Sequence, residues 1–143
     1  MTDNSLMLIS REREKLLEAI KYFSAKTKYC GLIKLFKLLY FLDFTHFRQT
    51  GRSVTGLTYN ALPRGPVPEV LYDEIKAKHS LDGKITIQNY SEVETETGKA
   101  YIPAKFEFKG KFDSRLFSKR ELRLMEQLAF VFLEARAEQM TDV

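Results

Sequence analysis

Few residues in this 143-residue chain are equipped for chemistry. There are two histidines, His46 and His79, and one cysteine, Cys30. The sharpest pair is Asp43 with His46, three positions apart in a strongly apolar stretch. On a helix that spacing puts both on one face, where the carboxylate could orient an imidazole for general-base work. The same spacing fits an internal hydrogen-bonded anchor, because buried polar groups need partners. No nucleophile or oxyanion donor is identifiable beside the pair, so the anchor is the expected role. Cys30 stands near the start of a predicted helix, the one local feature that would lower a thiol pKa. A packing cysteine is the expected reading there.

Other catalytic signatures are missing from the sequence. Without HExxH or CxxC, a zinc site would have to recruit scattered carboxylates. Neither G-x-x-x-x-G-K-[ST] nor G-x-G-x-x-G occurs, so phosphate-cradling loops of those kinds are unsupported. No catalytic residue, metal ligand or cofactor is assigned, and the chain is expected not to be an enzyme.

The elements that must position these residues follow from periodicity. A first helix is predicted from about Arg11 to Lys26, with Ser10 as N-cap and Leu16, Leu17, Ile20 and Phe23 as its apolar stripe. A turn at or just before Gly31 leads to a second helix, Leu32 to Thr50, apolar on nearly every face and therefore central. Gly51 suits the left-handed C-cap position. A short strand is predicted at Thr58 to Leu62 and a turn at Pro63 to Pro66. A third helix, starting at Pro66 or Pro68 and running to Lys78, should bury Val67, Leu71 and Ile75.

Two period-two runs, Lys84–Tyr90 and Tyr101–Phe108, read as a hairpin with one buried face. Glu92, Glu94 and Glu96 make its tip acidic, and Pro103 suggests an edge or a bulge. A fourth helix opens on a capping box, Ser118 with Glu121. Thr141-Asp142 looks like a further helix start, so the domain is expected to continue and the chain to be clipped. The expected class is α+β: a mostly helical bundle around a buried central helix, with a small antiparallel sheet on one side, in one domain over 1–143.

Composition bounds the partners. Apolar residues make up 44%, which is globular. One cysteine allows no intrachain disulfide and suits a reducing compartment, the cytoplasm. The opening MTDNSLMLISRERE is no secretory signal, and the apolar run Leu38–Leu42 is far too short for a membrane span. Net charge is 23 − 19 = +4, without a dense basic block. Arg11, Arg13, Lys15 and Lys21 alternate with Glu12, Glu14 and Glu18, which favours solubility over phosphate binding. The second helix is too apolar to read DNA. Nucleic acid is therefore an unlikely partner by composition.

Residues 37–75, KLLYFLDFTHFRQTGRSVTGLTYNALPRGPVPEVLYDEI, carry a family resemblance. Its elements are Lys37 to Tyr40, Asp43, His46, Gly51, the Thr55-Gly56 turn, Tyr59 with Ala61, Gly65-Pro66-Val67, and Leu71-Tyr72. This set resembles the SocA-like, phage-associated Panacea antitoxin domain. Arg64 departs from the pattern, since an aromatic residue is common before that glycine. The resemblance implies a binding module that neutralises a cognate toxin by direct protein contact. It also admits an adaptor that delivers a toxin to a bacterial protease. A nucleic-acid-binding regulator is the further alternative.

In this reading Tyr40, Asp43, His46, Gly51, Tyr59, Ala61, Gly65, Pro66, Val67 and Tyr72 form a scaffold able to touch the partner. The rigid RGPVP entry would lock the third helix against the second, since ordering loops on binding costs affinity. Interfaces favour aromatic residues and arginine, which points to Arg48, Arg52, Arg64, Tyr90, Tyr101 and Phe112 as contacts. The acidic hairpin tip would steer a basic toxin, although exposed glutamates are usually just solvated.

Overall fold

The computed structural model describes residues 4–62, 65–88, 91–95, 98–102 and 104–140, with side chains described in 11–62, 65–88 and 104–140. Its architecture is α+β. Four helices, α1 (Asn4–Lys26), α2 (Leu32–Thr50), α3 (Glu69–Lys78) and α4 (Lys119–Val131), are interleaved with short antiparallel strands.

Helix α1 begins about two turns earlier than the expected start after Ser10, which makes Ser10 an interior residue. Residues 4–10 contain neither proline nor glycine, and leucine and methionine are strong helix formers, so nothing stops the helix there. Its inner stripe, Leu16, Leu17, Ile20 and Phe23, is buried. Its polar face ties the bundle together: Arg13 reaches Glu74 and Asp82, and Lys15 reaches Glu121. The mixed charges read as a solvated face therefore make specific ties to α3, to the turn after it and to α4.

The α1–α2 connection turns at Tyr29, which takes a left-handed φ of 57°, with the Arg136 guanidinium 4.1 Å over its ring. The turn thus falls in the residues just before Gly31, one of the two expected places, and Gly31 itself is the extended N-cap of α2. Burial pushes the Cys30 thiol up to about 11, the opposite of an activated nucleophile.

Helix α2 has the predicted bounds, and Gly51 closes it at φ 80° with its N–H donating to the Phe47 carbonyl. Leu35, Leu38, Leu39 and Leu42 are fully buried at the centre of an apolar cluster drawn from all four helices. Each such side chain contributes roughly 1.5–3 kcal/mol.

After α2, strand β1 (Asn60–Leu62) pairs antiparallel with β2 (Gly65–Val67), matching Ala61 with Pro66. Of the two expected starts of the third helix the later fits: Pro68 is the N-cap and α3 starts at Glu69, while Pro66 and Val67, expected in a turn or helix, are in a strand. A two-stranded ladder is all edge, so a proline without an N–H is tolerated in it. Leu71 and Ile75 supply the buried stripe of α3 as expected, without Val67.

A second sheet has the order β3–β4–β7: Ser80–Leu81, Ile85–Gln88 and Lys105–Phe108. Ile85 faces Phe108 and Ile87 faces Phe106, so the two period-two runs pair on one apolar face only through 105–108. Tyr101 and Ile102 instead pair with 91–92, and Glu92 and Glu94 stand in a strand where a tip was expected. Strand β3 was not anticipated, being only two residues long behind a left-handed His79. The intervening β5 (Ser91–Thr95) and β6 (Gly98–Ile102) form their own antiparallel ladder. Pro103 and the 141–142 helix signal lie outside the described residues. At Ser118 the capping box is present in full, and Glu121 also holds Lys15, so one side chain starts α4 and ties it to α1.

Candidate functional site

The motif residues converge on the C-terminal half of α2. Asp43 is 4% exposed and its carboxylate is saturated. Oδ1 accepts the backbone N–H groups of Val54 and Thr55, both at 2.8 Å, and Oδ2 accepts the hydroxyls of Thr55 and Tyr59. Four donors from residues 54–59 thus close on one carboxylate. The loop after α2 is folded back along the helix that precedes it. Burial first, and then the adjacent Asp43 charge, hold the Tyr59 phenol far above the usual tyrosine range, so it stays a neutral donor.

His46 is also buried, but it does not partner Asp43. Its Nδ1 lies 2.7 Å from the Arg52 carbonyl oxygen and 3.2 Å from Thr50 Oγ1. A carbonyl only accepts, so Nδ1 carries the proton. The expected Asp–His pair is two separate anchors: one helical face carries both, yet each reaches a different part of the 50–59 loop. The orienting contact needed for general-base work is not made.

Two glycines serve this loop by conformation. Gly56 has φ 72°, and a Cβ there would collide with the Glu12 carboxylate of α1. Gly65 has φ 118°, which favours glycine although a Cβ there would make only ordinary contact with the Lys37 side chain of α2.

A second clasp was not foreseen. Lys34 is 1% exposed, and its ammonium donates to three carbonyls: Lys28 and Phe132 at 2.7 Å and Ala135 at 2.6 Å. Three donors meet three acceptors, which satisfies the group completely. Burial pulls its pKa below the usual lysine range. One turn on, Lys37 donates to the Ala137 carbonyl at 2.6 Å. Together they fasten residues 132–140, which contain a short 3-10 turn and the buried Met140, onto α2. Lysine in an apolar helix gives no sign of which backbone carbonyls it will meet, so only its odd position could have drawn attention.

Between the two clasps lies the open face of α2. Phe132 stacks on Phe41 (5.5 Å), Phe41 meets Tyr40 (6.0 Å), and Tyr40 stacks on Phe44 (5.5 Å, 11° between planes). Tyr59 meets Tyr40 edge-on at 5.2 Å, and the Arg48 guanidinium lies 5.7 Å from the Phe44 ring centre. Phe44 and Phe47 are 45% and 56% exposed. The helix expected to be surrounded on nearly every side is central, but this face is uncovered.

The remaining expected contacts are dispersed. Arg48 and Arg52 are exposed at the end of α2, and Ala61 is exposed in β1. Tyr72 packs edge-on against Phe36, and Val67 is half-buried. Phe112 is half-buried in a cluster with Tyr22 and Phe117 against α1. Tyr101 pairs with Glu92 in the β5–β6 ladder, while Arg64 and Tyr90 lie outside the described residues. Among the described residues no buried side-chain nitrogen or oxygen lacks a partner, and no helix is long and apolar enough to cross a membrane.

A family model described as the antitoxin SocA-like, Panacea domain matches residues 35–143, a span that contains the Asp43 and His46 anchors, the open face of α2 and the segment held by Lys34 and Lys37. No curated protein and no solved structure matches the chain. The chain belongs to the SocA-like Panacea antitoxin family.

Proposed function

We propose that this protein is an antitoxin that neutralises a cognate toxin by direct protein–protein binding in the bacterial cytoplasm, without catalysing a reaction. The observation that carries the reading is the row of rings on α2. Phe44 and Phe47 are exposed on a helix whose inner face is buried, and the rings around them are held in place. Exposed aromatic side chains on a fixed backbone are what an interface core needs. The two clasps supply the rigidity, because surfaces ordered in advance lose less entropy on binding. In this account Asp43, His46, Gly51, Gly65 and Pro66 are scaffold, and Tyr40 with Arg48 and Arg52 stand at the surface.

The test is co-expression with the product of the adjacent open reading frame. Growth arrest by that product alone, relief of arrest by this chain, and a complex on gel filtration are the expected results. A harmless neighbour, or relief without a complex, would overturn the reading. Relief accompanied by loss of the toxin in a protease-competent strain would move the protein to the adaptor class.

A further inference from the structure

We infer that the open face of α2 binds an acidic segment of the partner protein that carries an apolar anchor side chain, which rests on the antitoxin reading above. Three observations converge on that chemistry.

The first is the apolar centre. Tyr40, Phe44 and Phe47 recur at i, i+4 and i+7 and so share one face of α2. Phe44 and Phe47 are the exposed members.

The second is order. Phe44 stands between Tyr40 four residues before it and Arg48 four residues after it. Tyr40 is in turn braced by Tyr59, whose hydroxyl is held by Asp43. The buried clasp therefore fixes the geometry of the surface row.

The third is the sign of the rim. Arg48 and Arg52 form no ion pair among the described residues. Arg120 of α4 is brought to the same end of α2 by its bond to Gln49 at 3.1 Å. The one carboxylate of α2, Asp43, is buried and saturated, and Glu121 beside Arg120 is buried against Lys15. Among the described residues no carboxylate pairs with Arg48 or Arg52. An aromatic centre with a cationic rim complements carboxylates placed around an apolar side chain. Single-stranded nucleic acid also likes arginine and rings, but it stacks bases on free ring faces. The Phe44 ring is already stacked against Tyr40, with the Arg48 guanidinium 5.7 Å from its centre, so these rings already serve as each other's stacking partners.

The experiment titrates the purified product of the adjacent open reading frame with the full chain and three variants: Phe44→Ser with Phe47→Ser, Arg48→Glu with Arg52→Glu, and Phe130→Ser. Phe130 is an exposed ring on α4 outside the row and serves as the control. Circular dichroism and melting confirm that each variant is folded. The expected results are a loss of about 100-fold for the phenylalanine pair, at least about tenfold for the charge reversal, and none for Phe130→Ser. Wild-type affinity should fall about tenfold between 50 and 500 mM salt, and the charge reversal should remove that dependence. Lysine substitutions in acidic segments of the toxin should restore binding to the charge-reversed chain. If wild type binds and both paired variants bind equally well, the surface assignment is wrong while the antitoxin reading stands. If wild type binds no toxin, or this face takes up a single-stranded oligonucleotide instead, both fall.

Discussion

Asp43 and Phe44 are consecutive on α2 and meet opposite environments. Asp43 is 4% exposed and accepts four hydrogen bonds from the loop that follows the helix; Phe44 is 45% exposed and touches only rings and a guanidinium. One hundred degrees of helical rotation separates a residue whose carboxylate holds the following loop from one whose only ring and cation contacts, to Tyr40 and Arg48, lie on its own helix. A helix buried on one side and aromatic on the other can serve stability and recognition at once. The comparison predicts that damage to the two faces will show up in different measurements.

The largest expected effect on stability is at the inner face. Asp43→Ala leaves two backbone N–H groups and two hydroxyls without their acceptor and should cost about 3 kcal/mol, read by chemical denaturation. A loss well under 1 kcal/mol would mean that the clasp is incidental. Lys34→Met strands three carbonyls and should cost about 2 kcal/mol. It should also expose residues 132–140 to limited proteolysis, and unchanged protease resistance would show that Lys37 and apolar packing hold the segment alone.

Alkaline pH sharpens the same contrast. The Cys30 thiol and the Tyr59 phenol both have folded-state pKa values above their ordinary ones. Each contributes stability that is intact below its unfolded pKa and is lost as pH rises above it, because the unfolded chain releases the proton first. For Cys30 the window runs from the ordinary value of 9.0 to about 11, at up to about 1.4 kcal/mol per pH unit. Above pH 9 the Cys30 and Tyr59 contributions should lower the melting temperature, and Cys30→Ala should delay the onset of that fall. Tyr59→Phe removes one donor to Asp43 and should cost about 1 kcal/mol at neutral pH. The smallest effect belongs to the outer face: Phe44→Ser with Phe47→Ser should change stability by no more than about 0.5 kcal/mol. A larger loss would mean that the row of rings is structural.

How far the sequence foretold this division depends on which forces were local. The bounds of α2, its glycine C-cap and the Ser118 capping box follow from side chains acting on nearby backbone, so they were legible. The pairing of 85–88 with 105–108 was legible because the apolar face sets the register, whereas the separate ladder of 91–95 with 98–102 was not. Asp43 and His46 were recognisable as odd polar residues in an apolar helix, but their partners were not. Spacing brings them to one face, whereas the loop that folds back decides what each one meets. Lys34 was invisible because its acceptors are backbone carbonyls up to 101 positions away, and carbonyls carry no sequence signature. Pro66 was misplaced because a proline before a helix fits both an edge strand and a first turn. The open face of α2 was hidden by the same apolar richness that marked the helix as central, since periodicity cannot tell a covered ring from an exposed one.

Hydroxyl-radical footprinting of the protein alone and with its purified toxin tests the account most directly, because it reads side-chain exposure at each ring. Oxidation of Phe44 and Phe47 should fall several-fold when toxin is added, while Phe130 stays as reactive as before. Phe44 and Phe47 remaining fully reactive in a formed complex would contradict it.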